Sequence, residues 1–259
     1  ADNLHREIIL ASTPSIRLCV DEPLRAGSTQ QLSRPQSHYL VNVMRCRQDA
    51  PVILFNGYDG EWHTEIAVAD KKACVVSVLH QTRPQSIEPD IWLVFAPLKK
   101  DRTDFLIEKA TELGVARLIP AVTRRTQNAR LNADRLLATA TEAAEQSKRL
   151  SRPDIVEPAT FDDIIRNWPE NRRLIYLDET GQGQPLARVL AEGVDQLAFW
   201  IGPEGGFTAD ELDVLGKLTF SVAADLGPRI LRAETAATAA LAIRQSVADL
   251  HLSTEDRRP

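Results

Sequence analysis

"IGPEGGF" (Ile201–Phe207) lies between an apolar run, "QLAFW" (Gln196–Trp200), and "TADELDVL" (Thr208–Leu215), which reads as a helix start. A strand, a glycine-rich loop and a helix in that order are the repeating unit of an α/β fold. The same rhythm extends on both sides. "IWLVFAP" (Ile91–Pro97), "ARLIPAV" (Ala116–Val122), "RLIYL" (Arg173–Leu177) and "FSVAADLG" (Phe220–Gly227) are apolar without alternation, as strands buried on both faces are. Helical stretches separate them. "DRTDFLIEKATELG" has Asp101 as cap, Leu106, Lys109/Ala110 and Leu113 on one face, and Gly114 as stop. "NADRLLATATEAAEQSKR" is capped by Asn132, with Lys148 and Arg149 in a favourable last turn. "RAETAATAALAIRQSVADL" (Arg232–Leu250) carries Ala236, Ala240, Ile243 and Val247 in one stripe, which serves close helix packing or an ordinary core.

Upstream the pattern is β-rich. "PVILF" (Pro51–Phe55), the turn "NGYDG" and the alternation of Trp62, Thr64, Ile66 and Val68 predict a hairpin. "ACVVSVL" (Ala73–Leu79) predicts a third strand. "SHYLVNVMR" predicts a short helix with Ser37 as cap and Leu40, Val43 and Met44 on one face. These elements suggest a small barrel. "QTRPQSIEPD" (Gln81–Asp90), polar with two prolines, holds the linker at about 83–89, between one domain over 1–82 and another over 90–259.

Composition narrows the function. The 259 residues carry a net charge of -5, yet Ile91–Arg152 holds 12 basic residues against 7 acidic ones, an asymmetry that suits an anionic partner or a solvated face. No apolar run approaches the ~20 residues of a membrane span, and "ADNLHREIIL" does not read as a signal peptide. The three cysteines, Cys19, Cys46 and Cys74, fit reduced thiols in a cytoplasm. His38, His63 and His80 do not cluster at metal-ligand spacing, so no metal is expected.

Ligands of an open parallel sheet bind at the carboxyl ends of its strands. Two Gly-Pro loops leave such ends: "GPEGG" after "AFWI", and "LGPRIL" (Leu226–Leu231) after "SVAAD". Neither matches GxxxxGK[ST] or GxGxxG, and Glu204 repels a phosphate, so a neutral or cationic ligand fits better. Glycines that merely turn the chain are the competing reading.

Four motifs, "EKATELGV", "EAAEQSKR", "IGPEGGF" and "LGPRILRAETAA", in order over nearly the whole chain, resemble the bacterial 16S rRNA uridine N3-methyltransferases of the RsmE family, within the SPOUT superfamily. "HYLVNVMR" and "GEWHTEI" resemble that family's N-terminal domain. The resemblance implies a PUA-like β-barrel that binds RNA and an α/β SPOUT domain with a deep trefoil knot. It implies a cytoplasmic homodimer that uses S-adenosylmethionine to methylate N3 of a uridine (uridine 1498 in bacterial rRNA numbering) in the small ribosomal subunit. Ile201, Gly202, Pro203, Gly205 and Gly206 would line one side of the cofactor, and Leu226, Gly227, Ile230 and Leu231 the other. Arg232 would stabilise charge developing on the uracil. Glu234 would accept the proton or hold Arg232. Arg45, Arg47, Lys99, Lys100, Arg102, Arg124, Arg125, Lys148, Arg149 and Arg152 would meet rRNA phosphates. The chain departs from the family at Ala233, where "RTET" places Thr. The alternatives are a SPOUT enzyme for another RNA position, a non-catalytic rRNA-binding assembly factor, and an α/β nucleotide-binding enzyme.

Overall fold

The computed structural model describes residues 16–127, 130–193 and 196–251. Ala1–Leu10, where a signal peptide was sought, lies outside them. The chain divides into two compact units. One comprises the residues up to Ile87 together with Ala144–Arg152, and the other Glu88–Ala143 with the residues from Pro153 onward.

The first unit contains β1 (Arg17–Cys19), β2 (Thr29–Gln31), α1 (Arg34–His38) running into a π-helical turn (Tyr39–Val43), β3 (Pro51–Phe55), β4 (Glu61–Val68) and β5 (Val75–Arg83). The strands form one sheet in the order β1-β3-β4-β5-β2, with β1 parallel to β3 and the rest antiparallel. The expected hairpin is β3–β4. Its turn is fixed by Asn56 Oδ1, which accepts from the backbone N–H groups of Tyr58 (3.0 Å) and Asp59 (2.8 Å). Gly60 has φ +78°, and a Cβ there would lie 2.2 Å from the Arg83 carbonyl oxygen, so only glycine fits. One face of the sheet buries Leu18, Val52, Leu54, Ile66, Val76 and Val78 with Leu40.

Three expectations need correction here. The cap of α1 is Ser33, in a capping box with Gln36, while Ser37 is buried and accepts from the Cys74 N–H (2.9 Å). Val43 and Met44 are exposed, because the helix widens into a π turn and rotates them off the Leu40 face. β5 runs through Arg83, the residue at which the linker was expected to begin.

Ala144–Arg152 covers the other face of this sheet. Ala144 packs on Cys19 and Phe55. Arg17 donates to the carbonyls of Ala144 (3.2 Å), Glu145 (2.9 Å) and Arg149 (2.9 Å), and pairs with Glu61 (2.8 Å). A guanidinium thereby adds a donor to the carbonyls at a helix C-terminus.

The second unit contains β6 (Ile91–Phe95), α2 (Lys100–Glu112), β7 (Arg117–Val122), α3 (Ala133–Gln146, whose last turn enters the first unit), β8 (Asp154–Ile155), β9 (Ala159–Thr160), α4 (Phe161–Arg166), β10 (Arg173–Leu177), β11 (Gln184–Pro185), α5 (Leu186–Ala191), β12 (Leu197–Ile201), α6 (Ala209–Lys217), β13 (Ser221–Asp225) and α7 (Ala233–His251). The sheet order is β11-β13-β10-β12-β6-β7-β8, with β9 also on β7, and every pair is parallel. Both faces are buried, as the unbroken apolar runs imply. Leu93, Phe95 and Phe199 face one cluster, while Val94, Ala198 and Trp200 face the other. The Ala236–Val247 stripe packs on the first of these, so within the chain it is core.

Helix ends differ from expectation in two places. Lys99 occupies the N-cap of α2 without a side-chain bond, and Asp101 sits inside the first turn. Asn132 does cap α3, accepting from Arg135 N–H at 2.9 Å. But α3 stops at Gln146, and Lys148, at φ +60°, turns the chain away. Arg149 is consequently buried.

Candidate active site

Strands β13, β10 and β12 are neighbours, so their three carboxyl-terminal loops converge. They enclose a cleft of about 580 Å³, within the range of small-molecule sites. Of the residues expected to hold a ligand, Ile201, Gly202, Pro203, Gly206, Leu226, Gly227, Ile230, Leu231 and Arg232 line it. Gly205 and Glu234 are not among the lining residues. A Cβ on Gly205 would face Arg125 Cδ at 3.5 Å, and Glu234 is buried in the first turn of α7.

The first loop is built for close approach. Gly206 N–H donates to the Pro203 carbonyl (2.8 Å), and Gly206 takes φ +69°. A Cβ there would lie 1.8 Å from Glu179 Oε1, so the Glu179 carboxylate occupies the space a side chain would need. Phe207 anchors the loop edge-on against Trp200, with ring centroids 6.1 Å apart. Thr208 and Glu211 form a capping box, and Glu211 Oε1 also accepts from Arg124 N–H (2.9 Å). Arg125 donates to the carbonyls of Gly205 (2.7 Å) and Phe207 (3.3 Å). Its guanidinium holds this loop, whereas the Arg124 side chain has no ion pair among the described residues.

The second loop turns at Gly227, φ +97°, with Asp225 Oδ1 accepting from its N–H (2.9 Å). Leu226 and Leu231 pack on the core. The third wall, Leu177–Gly181 after β10, was not anticipated. Its signal is present in the sequence: "DETG" follows an apolar strand, but without a Gly-Pro pair to draw notice.

The charges sort unexpectedly. Arg102, from the first turn of α2, forms an ion pair with Glu204, and its Nε lies 3.7 Å from Glu234 Oε1. Glu234, expected to accept the proton or hold Arg232, is thus turned toward Arg102, as is Glu204. Arg232 is exposed at the cleft without an ion pair among the described residues. Glu234 Oε2 is buried with no hydrogen-bond partner there. Arg102, read as an RNA contact, instead lines the cleft. The cleft lining carries both signs, Asp178, Glu179, Glu204 and Asp225 beside Arg102, Arg229 and Arg232, with one carboxylate in excess.

Elsewhere, Arg45, Arg47, Lys99, Lys100 and Lys148 are exposed. Arg149 is 8% exposed with its guanidinium toward Ser151, too buried to offer a phosphate contact. Arg152 pairs with Asp21 (2.6 Å). His63 and His80 do come together, stacked across β4 and β5 with ring centroids 5.1 Å apart, because a register shift brings them level. Among the described residues no group of three or more His, Cys, Asp or Glu could hold a metal ion, and no helix is long and apolar enough to cross a membrane.

Comparison with known proteins agrees with this architecture. Residues 85–245 match the RNA methyltransferase domain family, and residues 32–79 match the RNA methyltransferase PUA domain. The chain is 32% identical to the ribosomal RNA small subunit methyltransferase E of Rickettsia conorii, over 87% of this chain and 93% of that one. It is 28% identical to its namesake in Bacillus subtilis, over 85% and 91%. A crystal structure of the Neisseria gonorrhoeae methyltransferase E, bound to S-adenosyl methionine, superposes with a TM-score of 0.82 at 27% identity, covering 90% of this chain and 97% of that one. Fold and cleft are those of an RNA methyltransferase that carries a PUA domain. Within that class, the chain belongs to the ribosomal RNA small subunit methyltransferase E family.

Proposed function

We propose that the protein transfers a methyl group from S-adenosylmethionine to N3 of a uridine in 16S rRNA, uridine 1498 in bacterial rRNA numbering. The observation that carries this reading is the three-loop cleft, which combines apolar side chains with Asp178, Glu179 and Asp225 and has Arg232 at its edge without an ion pair among the described residues. Ile201, Leu226 and Leu231 suit an adenine ring, and the Gly202, Gly206 and Gly227 backbones let it approach closely. Asp178, Glu179 and Asp225 suit a sulfonium, an ammonium and ribose hydroxyls. The bound cofactor supplies an electrophilic methyl group. The residues of the chain position the uracil beside it, and alignment of bound reactants contributes about 7–11 kcal/mol. Arg232 donates to a uracil carbonyl oxygen as negative charge develops on the ring. Glu234, buried off the cleft lining with its Oε2 unpartnered among the described residues, would take up the N3 proton by ordering a water for it. Ala233 lines the cleft without a hydroxyl, so no step depends on one at that position.

The same reading includes the SPOUT trefoil knot. It is supported by the order β13-β10-β12-β6-β7, in which the last two strands insert beside earlier ones. It includes a cytoplasmic homodimer, supported by Ile230, 81% exposed at the cleft where a partner chain would cover it. The exposed Lys99, Lys100, Arg124, Lys148, Arg45 and Arg47 are the phosphate contacts of this reading, and the buried Arg149 leaves the set.

The test is transfer from labelled S-adenosylmethionine to small ribosomal subunits lacking N3-methyluridine, followed by nucleoside analysis. Label in N3-methyluridine, lost in Arg232→Ala with cofactor binding retained, is the expected result. Label in a different nucleoside would move the substrate position, and no label on competent subunits would refute catalysis.

A further inference from the structure

The carboxylates that line the cleft differ in what they bind. Asp178 Oδ1 accepts from the Thr180 N–H (2.8 Å), and its Oδ2 accepts from the Thr180 hydroxyl (2.7 Å). Asp225 Oδ1 accepts from the Gly227 N–H (2.9 Å), and Glu204 pairs with Arg102. Glu179 has neither a hydrogen bond nor an ion pair among the described residues. Arg229 and Arg232 line the same cleft, and neither is paired with it. Its charge is thus left without a donor while its neighbours' charges are engaged.

The position of Glu179 is equally particular. It follows β10, yet its Oε1 lies 1.8 Å and its Cδ 2.7 Å from the point that a Cβ on Gly206, after β12, would occupy. The carboxylate reaches from one loop and rests on the bare backbone of another. Both ends of this span are held. The Asp178 bonds fix the turn that carries Glu179. Farther along the same loop, a Cβ on Gly183 would lie 2.6 Å from the Ala224 carbonyl carbon, so the chain there is packed on β13. Gly206 N–H is bonded to the Pro203 carbonyl (2.8 Å), and Arg125 holds the carbonyls on either side of it. What remains free to move is the exposed Glu179 side chain itself.

A ligand that approaches the Gly206 backbone meets this carboxylate. S-adenosylmethionine carries two cationic groups. Its ammonium is balanced by the ligand's own carboxylate, while its sulfonium has no counter-ion within the molecule. A carboxylate without a partner, standing over open glycine backbone, complements that sulfonium. We propose that Glu179 is a specificity-determining residue, whose carboxylate faces the sulfonium and so distinguishes S-adenosylmethionine from the product, S-adenosylhomocysteine. The proposal rests on the reading of this cleft as the cofactor site. In the transfer, the carbon–sulfur bond breaks and leaves its electron pair on sulfur. The nitrogen–carbon bond forms with the N3 pair, and the N3 proton leaves to the acceptor described above. The sulfur is then a neutral thioether. Its attraction to Glu179 ends with its charge, while the contacts of Ile201, Leu226 and the glycine backbones do not depend on that charge. The spent cofactor is therefore held less tightly than the fresh one.

The experiment is titration calorimetry of the full chain, wild type and Glu179→Gln, with three probes. These are S-adenosylmethionine, S-adenosylhomocysteine and sinefungin, an analogue with an amine-bearing carbon in place of the methyl sulfonium. The glutamine keeps the shape of the side chain and removes its charge. S-adenosylmethionine and sinefungin should each bind about fivefold more weakly to the variant, and S-adenosylhomocysteine should stay within about twofold of wild type. Thermal unfolding without ligand should match wild type, since Glu179 has no hydrogen bond or ion pair among the described residues to lose. Equal losses for all three probes would place Glu179 on a ribose or ammonium common to reactant and product, and would overturn the proposal. Unchanged affinities would overturn it as well. A wild type that binds none of the three would instead sink the reading of the cleft as the cofactor site.

Discussion

Gly206→Ala isolates what the glycine loop contributes. Gly206 sits at φ +69°, and a β-carbon in the left-handed region costs about 1–2 kcal/mol. The new methyl would also lie 1.8 Å from Glu179 Oε1, so that carboxylate must swing away. It is the end of a flexible side chain, so this adds displacement more than strain. The loop lines the cleft, and its distortion should appear as lost ligand affinity. A penalty of 1–2 kcal/mol corresponds to about 5- to 30-fold weaker S-adenosylmethionine binding. Gly205→Ala is the internal control. Its β-carbon would meet only the Arg125 side chain, Cδ at 3.5 Å and Cβ at 3.7 Å, ordinary contacts, so the fold should tolerate it. Titration calorimetry with S-adenosylmethionine and thermal unfolding, run on both variants, separate the two effects. If Gly206→Ala binds the cofactor as tightly as wild type, the reasoning from backbone conformation and Glu179 fails. If Gly205→Ala loses affinity while keeping its melting temperature, the cofactor approaches that glycine too.

Arg17→Ala should destabilise the first unit by about 3–5 kcal/mol, since it strips a buried pair from Glu61 and removes a donor from the Ala144, Glu145 and Arg149 carbonyls; a loss of unfolding free energy below about 1 kcal/mol in urea titrations would contradict this. Arg102→Gln and Glu204→Gln should be non-additive in cofactor affinity, with a coupling of about 0.5–1 kcal/mol for so partly exposed a pair, and strict additivity would exclude the link. Burial pushes the Cys19 thiol from 9.0 up to about 11. The unfolded chain thus releases this proton near pH 9 while the native one keeps it, so stability should fall between pH 9 and pH 11. Cys19→Ala should flatten that decline, and identical pH profiles would count against it.

The strands of the second unit were legible because both faces of the sheet are covered. Leu93 and Phe95 go one way and Val94 the other, and the run therefore reads as continuously apolar. The two Gly-Pro loops were legible for a related reason, since glycine and proline mark backbone geometry in any context. Contacts over long separations were not. Arg102 meets Glu204 across 102 residues, and the sequence pattern gave each a different role: an RNA contact and a source of repulsion. Local competition misled as well. Ser33 and Ser37 are both plausible caps, and what decides between them is that Ser37 is needed by Cys74, far along the chain. The third wall of the cleft escaped notice because "DETG" carries chemistry but no distinctive backbone signature.

The return of Ala144–Arg152 to the first unit means that the polypeptide crosses the boundary between its two bodies three times. The N-terminal body is consequently not a module that can be cut out at its linker. A fragment ending at Ile87 would lack the strip that seals Phe55 and Cys19 and that gives Arg17 its carbonyl partners. Recombination that exchanged the two halves between relatives would have to carry nine residues of one half inside the other. The two bodies, each compact in its own right, are therefore not independent halves of the chain.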